Sequence, residues 1–422
     1  MNSPLIFAPT DAALAERIAA IDIHMYGVSR NKLDGAVTRL SPWLTHGFLD
    51  LRDLQRRLER DKNLKVTDKL TSEFGWHDFF AHVAGHLGEG ILSDIRPALP
   101  GVEYAPELPA DIREGRTGVP AIDQSVRALY RDGWLHNHAR MWLASYVVHI
   151  RHVHWRAGAD WMVGHLLDGD LASNHLSWQW IAATFSQKPY LFNAENVAKF
   201  APADWHSAGT VIDASYEALE QIARGTVAAS GIGATPADAA ASIAEPALFA
   251  APPADILAAC LQRVTLPCFN TATDLRALNS WLAKGPRQRV ELIHPWALAP
   301  RDRRMTSGLP LRIAAIHLPF HARFPWSARR WQFVLARMVD VCDAVVIGDL
   351  AVMQKQLADR PEVVARTTSN PDYAPVLDQL GARLEPVPTS YPAPEQLCTS
   401  FNQFWKAVTP PVQSGRRKRE DD

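Results

Sequence analysis

Apolar residues in the first half of the chain recur every three or four positions, the spacing that gathers them on one side of an α-helix. From Asp11 to about Phe200 this pattern is nearly unbroken, and the alternation of a half-buried strand is almost absent. Leu51, Leu54 and Leu58 form one such stripe; Met141, Ala144, Ser145 and Val148 form another within the stretch from Arg140 to His154. An all-α first half is expected. Between roughly Gly225 and Pro253 the chain turns rich in alanine, proline and glycine, the texture of a linker or short helices. Beyond it "RVELIHPWAL", "LRIAAIHLPF" and "AVVIGDL" are short apolar runs of the kind found in strands buried on both faces, separated by helical stretches such as Ala328 to Val341. That alternation predicts βαβ units and a mostly parallel sheet. The expected organisation is multi-domain, α and α/β: a helical domain over 1–225, a linker over 226–254, an α/β domain over 255–410 and a disordered tail over 411–422.

Composition narrows the chemistry. A chain of 422 residues with 47% hydrophobic side chains can bury a substantial core. Its four cysteines, Cys260, Cys268, Cys342 and Cys398, share no CxxC or Cys/His ligand spacing, so neither a disulfide framework nor a metal site is expected. A net charge of −1 exerts no global pull on phosphates, and nucleic-acid binding would have to rest on a local basic patch. No apolar run approaches the ~20 residues that span a bilayer, and no secretory signal pattern opens the chain. The expectation is a cytoplasmic monomer with no membrane partner.

The stretch "DGDLASNHLSWQW", Asp168 to Trp180, sets two carboxylates, an asparagine and two tryptophans in one helical segment. Buried polar groups need partners. A flavin ring would supply them, because a carboxylate can accept from the ring imide, an amide can meet N5 and indoles can stack nearby. A capped helix with core tryptophans would also read this way.

Three further segments extend the pattern, and together the four resemble the photolyase/cryptochrome family in that family's order. "DGDLASNHLSWQW" resembles its flavin motif; "VTRLSPWLTHG", Val37 to Gly47, resembles its phosphate-gripping loop. "SEFGWHDFF", Ser72 to Phe80, is similar to its substrate-facing helix, and "TGVPAIDQSVRALYRDGWLHNHARM", Thr117 to Met141, to the segment joining flavin to lesion. The resemblance implies an all-α FAD-binding domain, here followed by a Rossmann-like α/β domain. It implies that FAD is held by Tyr26, Val37, Thr38, Arg39, Leu40, Ser41, His77, Arg140, Asp168, Gly169, Asp170 and Asn174. Within that set Arg140 and Asp168 would form a buried ion pair, Asp170 would meet the flavin imide, and Asn174 would face N5.

The implied substrate is damaged DNA with a flipped pyrimidine dimer, contacted by Glu73, Trp76, Asn137, Met141 and Trp180, with Glu73, Asn137 and Asn174 in the catalytic roles. Related enzymes acting on the other common pyrimidine photoproduct carry histidines where this chain has Asn137 and Met141, which favours cyclobutane dimers. The implied activity is photochemical: light-excited reduced FAD lends an electron to the dimer, the ring opens and the electron returns. Trp178 and Trp155 match the inner and middle members of the family's electron-transfer chain; no tryptophan matches the outer one, although Tyr104 is nearby in sequence. His77 and His138 stand where arginines are usual, which should weaken phosphate contacts. A cryptochrome-like blue-light receptor without repair activity, or a flavoprotein with neither role, stays open.

In the second half "SARRWQFVLARMVDVCDAVVIGD", "NPDYAP" and "SFNQFWKAV" resemble parts of the family's antenna domain, which ordinarily precedes the flavin domain. They imply a reversal of domain order and room for a second, antenna chromophore of unknown identity. An unrelated Rossmann-like domain is the alternative.

Overall fold

A computed structural model describes residues 6–229, 242–284, 289–301 and 309–409. The tail over 411–422, expected to be disordered, lies outside the described residues. So does part of the alanine- and proline-rich stretch.

The first half is helical, as its periodicity predicts. The elements that matter for function are α1 (Ile23–Ser29), α2 (Ser41–Thr45), α3 (Lys69–Leu87), α4 (Asn137–Ser145), α5 (Trp155–His165) and α6 (Leu171–Ala182). Local chemistry starts them. Asp22 caps α1, its Oδ1 accepting from Met25 N at 2.9 Å, and Pro42 occupies the first turn of α2, where its missing N–H costs nothing. In the helix Leu51–Lys62 the stripe residues Leu54 and Leu58 are buried, and Asn63 ends the helix in the left-handed conformation. The stretch from Arg140 to His154 departs from one regular helix. It passes from α4 into a π turn, Tyr146–Ile150, whose five residues are all buried, and then breaks at His152 (φ 46°) before α5 begins. Burial on every side, rather than along one stripe, is what its 3.6-residue pattern concealed.

The second half forms a sheet of β1 (Cys268–Asn270), β2 (Val290–Ile293), β3 (Leu311–His317), β4 (Ala344–Gly348), β5 (Val363–Arg366) and β6 (Arg383–Glu385). The spatial order is β1-β4-β3-β2-β5-β6, and every pairing is parallel. This is a doubly wound, Rossmann-like sheet whose order reverses between β2 and β5. All five residues of β4 are buried, the signature of a strand covered on both faces. Helix α7 (Ala328–Val341) connects β3 to β4 with the bounds that the sequence pattern predicts, and α8 (Phe401–Val408) closes the described chain.

The two halves share a core. One cluster of buried apolar side chains runs from Leu54, Phe74 and Phe79 through Trp326, Trp331 and Phe333 to Ile316, Val345 and Ile347 on one face of the sheet. Other clusters fill the helical interior, around Trp142 and Trp178, and the opposite sheet face, around Leu292, Ile313 and Val346. Ion pairs between Asp11 and Arg337 (2.8 Å) and between Glu89 and Arg323 (2.8 Å) also cross from one half to the other, as does the pair Asp50–Arg366. The described residues of the alanine- and proline-rich stretch are bonded on both sides. Glu245 pairs with Arg113 at 2.7 Å, and Leu248–Phe249 pairs antiparallel with Trp326–Ser327.

Among the described residues no helix is long and apolar enough to cross a membrane.

Candidate functional site

A cavity of about 320 Å³ opens among α1, the loop before α2, α3, α4 and α6. Its size falls in the range of roughly 300–1,000 Å³ common to small-molecule and cofactor sites. One wall is the loop of Val37, Thr38 and Arg39 with Ser41. Arg39 is left-handed (φ 51°), a conformation that costs a non-glycine residue of order 1 kcal/mol. Trp134 holds the loop in place: the Arg39 guanidinium lies over its ring at 5.2 Å, and its Nε1 donates to Ser41 Oγ at 3.1 Å. Leu40 turns the other way, into the core, and is not a wall residue.

The opposite wall comes from the α5–α6 connection. Asp168, almost fully buried, accepts from Arg140 Nη2 at 2.7 and 3.0 Å, while Arg140 Nε donates to Leu135 O at 3.0 Å. Asp170 caps α6, Oδ1 accepting from Ser173 N at 2.7 Å. His77 faces both carboxylates from α3; burial lowers its pKa, and Asp170 and Asp168 oppose that shift. Asn174 Nδ2 donates to Ala159 O at 3.0 Å, which leaves Oδ1 without a protein partner among the described residues. Beside it Trp178 lies over Gly158, where a Cβ would stand 2.3 Å from the indole.

At the mouth are Tyr26, Arg30, Glu73, Trp76, Asn137 and Met141. Glu73 Oε1 pairs with Arg30 Nη1 at 3.1 Å; burial raises the Glu73 pKa and Arg30 pulls it back. Burial, then Glu73, raises that of Tyr26, so the phenol keeps its proton as a donor. Asn137 Nδ2 reaches Met141 Sδ at 3.4 Å. His136 is held neutral, its pKa pushed down to about 4 by burial, and Nε2–H donates to Arg30 O at 3.0 Å while Nδ1 accepts from His138 N. His138 Nδ1 is buried with no partner among the described residues.

Five residues expected at the site do not line the cavity: Leu40, Gly169, Asp170, Trp155 and Trp180. Gly169 instead packs against Val163 O and the Arg330 guanidinium, at 2.3 and 2.5 Å from where a Cβ would be. Trp180 is 38% exposed and its ring tilts against Tyr190 at 5.9 Å. It follows Trp178 by two positions on α6, and residues two apart on a helix point to different sides. Trp155 is buried, donates from Nε1 to Asp94 and packs at 5.7 Å on His154, whose ring meets Tyr104 edge-on at 6.4 Å.

Sequence reasoning did not single out Trp134, His136 or Phe401. The first two lie inside the Thr117–Met141 motif, where their types were visible but their partners were not. Phe401, on α8, stacks on Trp76 with centroids 4.1 Å apart and planes 8° from parallel. Next to it the Trp405 ring occupies the place of a Gly75 Cβ, at 2.2 Å, so only glycine admits α8 onto α3.

The segment before α8 is tied to α3 by Tyr391 N donating to Asp78 Oδ2 and Cys398 N to His82 Nε2, each at 2.9 Å. Burial pushes the Asp78 pKa up from 3.8 to about 6 despite these backbone donors. The folded state therefore binds more protons than the unfolded one in that window, so this contribution favours folding below about pH 4 and is lost as pH rises through about 6. Asp78→Asn is expected to flatten the dependence, measured as urea midpoints across the window. Parallel pH profiles for parent and variant would refute the assignment.

Residues 70–233 match the family model described as the FAD binding domain of DNA photolyase. Over these residues the chain is similar to the photolyases and cryptochromes. The match covers α3 to α6 and leaves the 37–41 loop outside it. Similar photolyases include the deoxyribodipyrimidine photo-lyase of Streptomyces griseus, 35% identical over 149 residues (35% of this chain, 32% of the relative). That of Escherichia coli is 33% identical over 156 residues (35% and 33%), and the cryptochrome DASH of Natronomonas pharaonis 32% over 165 (37% and 35%). The chain spans about a third of the length of these curated relatives. Among solved structures, a Synechocystis cryptochrome aligns with TM-score 0.42 at 25% identity, covering 47% of this chain and 44% of its own.

Proposed function

We propose that the protein is a light-driven repair enzyme that splits cyclobutane pyrimidine dimers in DNA, with FAD in the cavity of its helical half. The observation that carries this reading is convergence: most of the residues implied for flavin, and Glu73, Trp76, Asn137 and Met141 of those implied for the lesion, far apart in sequence, line one cavity. The donor set suits FAD. The Val37–Ser41 loop offers hydroxyls and an arginine for a diphosphate, and on the opposite wall Asn174 Oδ1 has no protein partner among the described residues. When bound and reduced, FAD supplies the light-excited electron that opens the dimer.

The remaining work belongs to the chain. The Asp168–Arg140 pair holds the α5–α6 connection in register beside the flavin, and Asp170 fixes the start of the helix that carries Asn174. Trp76, steadied from behind by Phe401, supplies a stacking platform for a flipped base, and Trp180 meets the DNA from the exposed side of α6. Glu73 and Asn137 hydrogen-bond the pyrimidine edges, with Arg30 paired to Glu73 at 3.1 Å. Leu70, Phe74, Phe80 and Ile181 keep that space poor in water. Trp178, which lines the cavity, and Trp155, which reaches Tyr104 by way of the His154 ring, are the groups that would carry electrons to the flavin. The α/β half takes the part of the family's antenna domain in reversed order, with a second chromophore as its ligand; the protein acts as a cytoplasmic monomer.

A second reading, a blue-light receptor without repair, draws on the engagement of Glu73 by Arg30 and on the cryptochromes among the relatives. Illuminating the FAD-loaded, reduced protein with a dimer-containing oligonucleotide separates the two. Restored pyrimidines support repair; bound, photoreducible flavin with no restoration favours the receptor. Trp76→Ala and Trp180→Ala are each expected to weaken binding to that oligonucleotide by about 1–3 kcal/mol while FAD stays bound. Unchanged binding in both would remove the lesion assignment.

A further inference from the structure

The flavin-facing connection between α5 and α6 is held through its backbone as well as through its aspartates. Three consecutive carbonyls are each met by a side chain from another element. A His46 ring nitrogen lies 2.8 Å from Leu167 O, Thr45 Oγ1 stands at 3.5 Å from Asp168 O, and Arg330 Nη2 donates to Gly169 O at 2.7 Å. Arg330 Nη1 also donates to Val163 O, in the last turns of α5, at 3.1 Å. One guanidinium thus bridges the end of α5 and the connection that leads to α6.

Arg330 is not part of the helical half. It lies on α7, in the α/β half, more than 150 residues beyond the connection it holds. It is fully buried and its guanidinium lies 3.9 Å over the Trp326 ring. Among the described residues no carboxylate forms an ion pair with it. A buried cation without a counter-ion in contact is expensive, and here the nearest negative charges are Asp168 and Asp170 of the same connection, which raise its pKa while burial lowers it to about 9. The other titratable groups that feel its charge, His46 and His321, are buried and held neutral, so neither competes with the two aspartates. Gly169 completes the fit, since any side chain there would strike Arg330 Nη1.

We propose that Arg330 is a positioning residue of the flavin site, contributed by the α/β half, which orients the Leu167–Asp170 connection so that Asp168 faces the cofactor cavity and Asp170 caps the helix that carries Asn174. This rests on the reading of the cavity as an FAD site. Arg330 touches no reacting group; it acts through Gly169 and Val163. The α/β half is then required for flavin binding itself, apart from any antenna role.

The test compares parent, Arg330→Met and Arg330→Lys as full-length chains. FAD affinity is measured by titrating FAD-free protein, and the unfolding midpoint of the FAD-free form is measured separately. Arg330→Met should weaken FAD binding about tenfold or more in protein that remains folded, and Arg330→Lys, which keeps the charge but reaches only one carbonyl at a time, should fall between. A merely structural role would lower the FAD-free midpoint and leave the affinity of the folded fraction unchanged. Folded Arg330→Met that binds FAD within about twofold of the parent overturns the proposal. If Arg330→Met does not fold, Arg330→Lys decides: parental affinity overturns the proposal and weakened affinity supports it. A parent that takes up no FAD sinks the flavin reading and this inference together, and its own titration reveals that before any variant is made.

Discussion

Arg140→Met is expected to lower the unfolding free energy by about 3 kcal/mol or more and to leave the purified protein without FAD. The Asp168 side chain is 3% exposed, and both its oxygens accept from Arg140 Nη2. Removing only the cation leaves a buried carboxylate without compensation, a loss of about 3–5 kcal/mol in comparable pairs. The lower end applies because Arg140 borders the cavity, where water can reach part of the vacated space. Urea unfolding of FAD-free protein measures the stability term, and flavin absorbance of the purified variant measures retention. A loss below about 1 kcal/mol would mean that water takes the place of Arg140 beside Asp168, and that the pair does not hold the connection. Asp168→Asn, which keeps an acceptor for Arg140, should do less damage than the loss of Arg140.

A chain ending at residue 225 is expected not to fold cooperatively and to bind no FAD, although composition sets a boundary there. The apolar cluster that includes Leu54, Phe74 and Phe79 is completed by Trp326, Trp331 and Phe333 from beyond the cut. Each such aromatic buries 150–250 Å² in a typical core, so its removal uncovers a contiguous apolar surface well above what monomeric proteins leave exposed. Phe401 and Trp405 would also leave α3, and Arg330 would leave the α5–α6 connection. Near-ultraviolet circular dichroism and a urea titration give the readout. A truncated chain with fixed aromatic signals, one cooperative transition and bound flavin would show that the helical half stands alone.

Sequence determined the elements whose pattern is long enough to repeat. The helical period over the first half, the apolar runs of β2, β3 and β4 and the bounds of α7 all emerge from local spacing, because burial on one side or on both imposes that spacing directly. It also determined the chemistry of the cavity wall. Arg140, Asp168, Asn174 and Trp76 carry side chains whose types, in their motifs, suit a flavin and a flipped base, and the fold brings them to one space. β1, β5 and β6 were not legible, since their three or four residues, unlike the four of β2, do not belong to a longer apolar run that sets them apart from a loop. Trp180 carried the right type in the right motif, but the helix turns it away from Trp178. Only the tertiary structure decided that the two halves share one core, that Phe401 backs Trp76 and that Arg330 grips Gly169. The physical reason is the same in each case: local sequence constrains which face of an element is apolar, whereas the element that covers that face is chosen by contacts between residues hundreds of positions apart, and these leave no local pattern to read.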